Sequence, residues 1–249
     1  MIDLHTHTVF CDGESTPEEM IISAIEKGVK TLGLTTHCYT PFMIYGSLSE
    51  TSEDEFIKAV TPLKERYKDK IEILIGVEAD YHADTDLLKF DYSVASSHYF
   101  YEKGKYYSID ASIEHLSLAF SEGFDGDVYR ACERYFEQVV EIAKIPNCRV
   151  VGHFDLITKF NLSKPFFDEN HPRYKKAWQK AALEIIKMGK VFEVNTGGIS
   201  RGYKKTPYPS KEMVDFIKAN GGKLMLSSDA HSASGIAFEF DKWKKEYDL

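Results

Sequence analysis

Six short segments of this chain end in side chains that can bind a metal ion or move a proton: DLHTHT at 3–8, TTH at 35–37, GVE at 76–78, SSH at 96–98, GHFD at 152–155 and SSDAH at 227–231. In the first, His5 and His7 are two apart, so an extended backbone points both imidazoles to one face. An isolated pair of that kind also occurs as a solvated or hydrogen-bonded pair. The repetition carries more weight, because each segment follows an apolar run and each brings His37, Glu78, His98, His153, or Asp229 with His231 to the same relative place. Six of the nine histidines are used this way, which points to a metal site rather than to scattered surface imidazoles.

The elements that must position these residues alternate. Strands are expected at Met1–His5, Thr31–Thr35, Glu72–Val77, Tyr92–Ser96, Arg149–Gly152, Val191–Val194 and Lys223–Ser227. Helical patterns fall between them, near 17–27, 53–68, 112–122, 127–144, 172–188 and 210–219, with a last one near 233–246. Thr16, Pro17 and Glu19 form a capping-box start for the first helix. Ser52 and Glu55 offer a second such start, and Pro62 should kink the helix it opens. Strands separated by helices imply a parallel sheet, and seven such units suggest a closed α/β barrel. The segments above then sit at the C-terminal strand ends, the face where barrels build their sites.

Composition narrows the class. A chain of 249 residues, 43% hydrophobic, can form one barrel domain over 1–249 with a substantial core. No apolar run is long enough for a membrane span and the N-terminus has no leader-like segment, so a soluble protein is expected. Cys11, Cys38, Cys132 and Cys148 show neither a CxxC spacing nor disulfide-scaffold density, which fits the cytoplasm. A net charge of −8 disfavours nucleic acid and means that an anionic substrate needs a local reversal of field. His82, His115 and His171 lie away from strand ends and read as surface or capping residues.

The segments resemble the motifs of the polymerase and histidinol phosphatase superfamily, over nearly the whole chain. That resemblance implies a distorted seven-stranded (β/α)7 barrel, similar to a TIM barrel, around a trinuclear metal centre. It implies one metal held by His5, His7, Glu78 and Asp229, a second by Glu78, His98 and His153, and a third by Asp12, His37 and His231. Imidazole and carboxylate without thiolate suit zinc, manganese or iron. Asp3 and Asp155 are candidates to orient ligand imidazoles, and Cys11 and Cys38 adjoin ligands.

The segment 195–205, NTGGISRGYKK, carries three cations and no acid. Its paired glycines could bring backbone amides to an anion, and Arg201 could grip phosphate in a bidentate fashion, with Lys159 as a second candidate. The alternative is a solvated basic turn. A phosphate monoester hydrolase follows, with Glu78, Asp229, His231 and Arg201 in catalysis and a small-molecule ester as substrate. Within the resemblance the histidinol phosphatase branch is favoured. Tyr39, Phe42, Tyr45, Tyr99, Phe100, Tyr101 and Glu102 are candidates for holding an imidazole and an ammonium. The competing readings are a nuclease or nucleotide phosphoesterase and a catalytically silent metal-binding module.

Overall fold

The architecture was taken from a computed structural model, which describes residues 1–40, 42, 50–145 and 147–249, with the backbone alone at 50 and 51. The chain opens with strand β1 (Ile2–Asp3), helix α1 (Pro17–Glu26), β2 (Thr31–His37), α2 (Glu50–Tyr67), β3 (Glu72–Asp80) and β4 (Tyr92–Ser96). A hairpin of β5 (Tyr99–Glu102) and β6 (Lys105–Ser108) precedes α3 (Ile113–Leu118) and α4 (Val128–Ala143). Then follow β7 (Cys148–Val151), α5 (Pro172–Lys187), β8 (Val191–Asn195), the single turn α6 (Gly197–Ser200), α7 (Lys211–Ala219), β9 (Lys223–Ser227) and α8 (Phe240–Glu246).

Seven strands form one parallel sheet in the order β1-β2-β3-β4-β7-β8-β9. Thr6 and Ala230 form a parallel bridge, and the His7 amide donates to the Ala230 carbonyl at 2.7 Å, so the two edges meet and the barrel is nearly closed. Its floor is filled by Leu4, Tyr92, Val94 and Val150. Tyr92 donates to the Leu4 carbonyl at 2.6 Å, and its ring crosses the interior over Gly33 and Gly76. A Cβ at Gly33 would lie 1.9 Å from the Tyr92 oxygen, so glycine is required there by close approach. Outside the barrel, α4 and α5 pack on one apolar cluster and α1 and α2 on another.

Local rules account for most boundaries. Thr16 and Glu19 do form the reciprocal capping box, with the Thr16 amide donating to Glu19 at 2.7 Å and the Glu19 amide to Thr16 at 3.3 Å. Other elements depart from expectation. α2 begins at Glu50 and runs through Pro62, so Ser52 and Glu55 lie inside it rather than at its start. Residue Glu53 instead ties the helix to the neighbouring loops, accepting from the Tyr39 amide at 2.7 Å and pairing with Lys89 at 2.8 Å. The stretch 99–111, which lies between an expected strand and an expected helix, contains the antiparallel hairpin, whose Lys103-Gly104 turn places both residues at positive φ. No helix among the described residues is long and apolar enough to cross a membrane.

Candidate metal centre

The strand ends bring the donor residues together because β2 and β3 run further than apolar patterning alone suggests. His37 pairs in register with Glu78, which sets an imidazole beside a carboxylate on adjacent strands. β1 is only two residues long, and the chain after it is held by Thr6. The Thr6 amide donates to Thr35 Oγ1 at 3.2 Å and its own hydroxyl to the Gly33 carbonyl at 2.9 Å. Thr6 thus faces the strands, while His5 and His7 turn into the barrel mouth. Just beyond β9 Asp229 has φ of 48°, a left-handed conformation that costs a non-glycine residue about 1 kcal/mol.

Glu78 is the centre of this arrangement. Its Oε2 lies 3.3 Å from Nε2 of His5, 3.3 Å from Nε2 of His7 and 3.1 Å from Nδ1 of His37. Its Oε1 lies 2.8 Å from Nε2 of His153 and 3.3 Å from Nε2 of His98. Asp229 Oδ1 approaches His7 Nε2 at 3.4 Å and His5 Nε2 at 3.7 Å, and Asp12 reaches both His37 and His231 at 3.3 Å. Among the described residues three groups could therefore hold a metal ion: His5, His7 and Asp229; Glu78, His98 and His153; and His7, Asp12, His37 and His231. All nine expected ligands fall in these groups, with His7 in two of them.

The charges show what such a site needs. Burial alone would push the Glu78 and Asp229 carboxyls up, yet the imidazoles and Arg201 facing them hold both well below the usual range. Burial would likewise push His5, His7, His37 and His98 down, but facing acids raise His5, His37 and His98, the last to about 10, and the Cys11 sulfur followed by Asp229 raises His7. The Nε2 atoms of His5 and His7 sit 3.1 Å apart, both directed at the two carboxylates. Buried anions and convergent nitrogen lone pairs are stable only with positive charge among them, and a divalent cation fits this donor set without requiring the imidazoles to be protonated.

Outer partners fix the rings, and sequence reading chose the wrong ones. His5 Nδ1 is 3.0 Å from Glu193, a fully buried residue of β8 that also accepts from the Asn195 side chain at 2.7 Å. His98 Nδ1 is 3.3 Å from Asp80, which accepts the His98 amide at 2.7 Å. Asp3 instead accepts from the Ser228 amide at 3.0 Å and braces the SSDAH segment, while Asp155 accepts from the Ser210 amide at 3.1 Å. An acid inside the apolar run VFEVN was the available signal for Glu193. Cys11 Sγ lies 3.4 Å from His7 Nδ1, whereas Cys38 is buried and accepts from the Asp80 amide at 3.1 Å.

A cavity of about 280 Å³ opens over these residues. Arg201 reaches into it, donating through Nη2 to Asp229 at 2.9 Å, with Nη1 2.6 Å from His231 Nδ1. Lys159 also lines it, bonded to the Asp110 carbonyl at 2.8 Å and its carboxylate at 3.2 Å. Packing requires both glycines: a Cβ at Gly197 would come within 2.8 Å of the Asp229 Cβ, and one at Gly198 within 2.6 Å of the Tyr208 ring. The Gly197 amide is already taken by Asn195 Oδ1 at 2.8 Å.

Of the loop residues proposed to hold a leaving group, Tyr99 lines the cavity, whereas Phe100 is buried in the core, Tyr101 is exposed and Glu102 pairs with Arg134 at 3.4 Å. The Tyr39 amide serves Glu53, and Phe42 stacks on Tyr106 at 3.6 Å. Tyr45 lies outside the described residues. Ser108, Asp110, Tyr203 and Tyr208 line the cavity and had no sequence signal beyond their polarity. Of the remaining histidines, His171 caps α5 by accepting the Arg173 amide at 3.2 Å, His115 lies 3.0 Å from the Ser112 hydroxyl that caps α3, and His82 is partly buried against Gln138 at 3.3 Å.

Known proteins resemble this chain in sequence and fold. The chain is 27% identical over 272 residues to the "Probable histidinol-phosphatase" of Schizosaccharomyces pombe, covering 99% of this chain and 86% of that protein. It is 25% identical to the histidinol-phosphatase of Bacillus subtilis, covering 96% of each. A histidinol phosphate phosphatase structure from Lactococcus lactis, complexed with zinc, L-histidinol and phosphate, has the same fold, with a TM-score of 0.68, 23% identity and coverage of 98% of this chain and 92% of that one. The family model described as the PHP domain matches residues 3–197, and the chain belongs to the PHP domain family.

Proposed function

We propose that this chain is a metal-dependent phosphate monoester hydrolase whose substrate is L-histidinol phosphate, built as one catalytic unit over residues 1–249 with three divalent ions. The observation that carries the reading is the division of Glu78 between two donor groups, one oxygen facing His5, His7 and His37 and the other His98 and His153. A carboxylate so placed could hold a cation with each of its oxygens. One ion is assigned to His5, His7, Glu78 and Asp229, a second to Glu78, His98 and His153, and a third to Asp12, His37 and His231 with His7 beside it. Zinc, manganese and iron all suit these donors, and zinc is favoured by the Lactococcus lactis protein.

Bound divalent ions supply Lewis acidity toward phosphoryl oxygens and an ionised water at neutral pH. The chain's own residues do the rest. Glu193 and Asp80 fix the rings of His5 and His98, so the donor atoms keep their direction. Arg201 offers a planar fork to the phosphoryl oxygens, and Lys159, held by Asp110, adds a second positive charge. With the divalent ions bound, these two cations would help to offset locally the net −8 of the molecule. Selectivity for the leaving group then falls to the outer wall formed by Tyr99, Asp110 and Tyr203.

The test is steady-state kinetics on one metal-loaded preparation with L-histidinol phosphate, a sugar phosphate, a nucleotide, p-nitrophenyl phosphate and single-stranded DNA. The reading expects the highest kcat/KM for L-histidinol phosphate. Equal use of all the monoesters would remove the specific substrate, and cleavage of DNA alone would replace the reading by a nuclease.

A further inference from the structure

Tyr208 is 2% exposed and lines the same cavity as the donor cluster, and its hydroxyl oxygen has no hydrogen-bond partner among the described residues. A buried hydroxyl left unsatisfied is unfavourable, and such groups in native proteins usually serve a ligand or a bound water. The placement is not loose. Tyr208 is bonded in both directions to the end of β8, its amide donating to the Asn195 carbonyl at 3.0 Å and its carbonyl accepting from the Asn195 amide at 2.7 Å. Gly198 exists in the space that the ring needs, and the Lys204 ammonium sits 5.2 Å from the ring centroid. The ring thus stands beside His153, at 6.4 Å between centroids, on a rigid strand end.

The surroundings define what the hydroxyl would bind. Burial first, then the Asp155 carboxylate, drives the phenol well above its ordinary range, so the oxygen keeps its proton and acts as a donor. Arg201 lines the same cavity, so a cation and a hydroxyl donor share its lining. Two donors of that kind match neighbouring oxygens of a tetrahedral anion.

We propose that the Tyr208 hydroxyl is a substrate contact that donates a hydrogen bond to a phosphoryl oxygen, acting beside Arg201. The assignment rests on the phosphatase reading for its catalytic consequence, but binding of the anion can be read without turnover. The experiment compares metal-loaded wild type with Tyr208→Phe, which keeps the ring and removes only the oxygen. Calorimetric titration with inorganic phosphate should show affinity weakened at least tenfold, with metal content and thermal midpoint unchanged because no internal bond is lost. kcat/KM should fall by a similar factor for L-histidinol phosphate and p-nitrophenyl phosphate alike. Unchanged phosphate affinity overturns the proposal. So does a lowered thermal midpoint, which would mean that the hydroxyl serves an internal partner, and so does a loss confined to one leaving group. If wild type binds phosphate yet hydrolyses neither ester, the phosphatase reading fails, while the phosphate titration still decides the role of Tyr208.

Discussion

Glu78 and Asp229 carry the negative charge around which the imidazoles are gathered, and both are nearly or fully buried. Neutralising either leaves the shape almost intact but removes charge that the bound cations require. Glu78→Gln and Asp229→Asn should each lower turnover by at least about a hundredfold, with metal content checked in the same samples. Near-normal turnover in both would remove the cluster from catalysis. Arg201 differs in kind, since its positive charge repels cations and suits an anionic substrate. Arg201→Ala should leave metal content unchanged and lower kcat/KM for phosphate esters by roughly tenfold or more. Unchanged kinetics would move the clamp to Lys159.

Among the elements, the barrel floor sets how well the mouth is held. Tyr92 fills it only because Gly33 and Gly76 leave room, and the Leu4 carbonyl that receives the Tyr92 hydroxyl is one residue from His5. Gly33→Ala forces a Cβ to 1.9 Å from the Tyr92 oxygen and 2.9 Å from the Leu4 backbone. A loss of about 2–3 kcal/mol is expected, as for overpacked cores. Denaturant midpoints would measure it, and Tyr92→Phe on the same background should recover part. This level also shows what sequence could reveal. Strand ends were legible because an apolar run closing on His37, His98 or His153 marks both the strand and its mouth. The hairpin Tyr99–Ser108 was not, because the buried residues at its base are consecutive, Tyr99 with Phe100 and Tyr107 with Ser108, and break the alternation of a half-buried strand. Glu193 and Asp80 were missed for another reason: their roles depend on which strands are neighbours, and no spacing within one segment encodes that.

At the scale of the molecule, metal binding and folding are coupled through protons. In the metal-free chain the raised imidazoles contribute stability that is fully present below about pH 6.5 and is lost as pH rises through their folded values, about 10 for His98. The depressed carboxyls of Glu78 and Asp229 contribute stability present above about pH 4.5 and lost as pH falls. Cations displace the protons, so their stabilising effect must grow as pH rises. The thermal midpoint of the loaded protein should exceed that of the chelated protein by a margin that widens between about pH 6 and about pH 8, and a margin that narrows would contradict proton competition. The central claim, that Glu78 joins cations held by the strand ends, is tested most directly by anomalous diffraction from crystals of metal-loaded protein. Three peaks at the mouth are predicted, with Glu78 bound to two of them through different oxygens; a single ion, or ions that do not share Glu78, would contradict it.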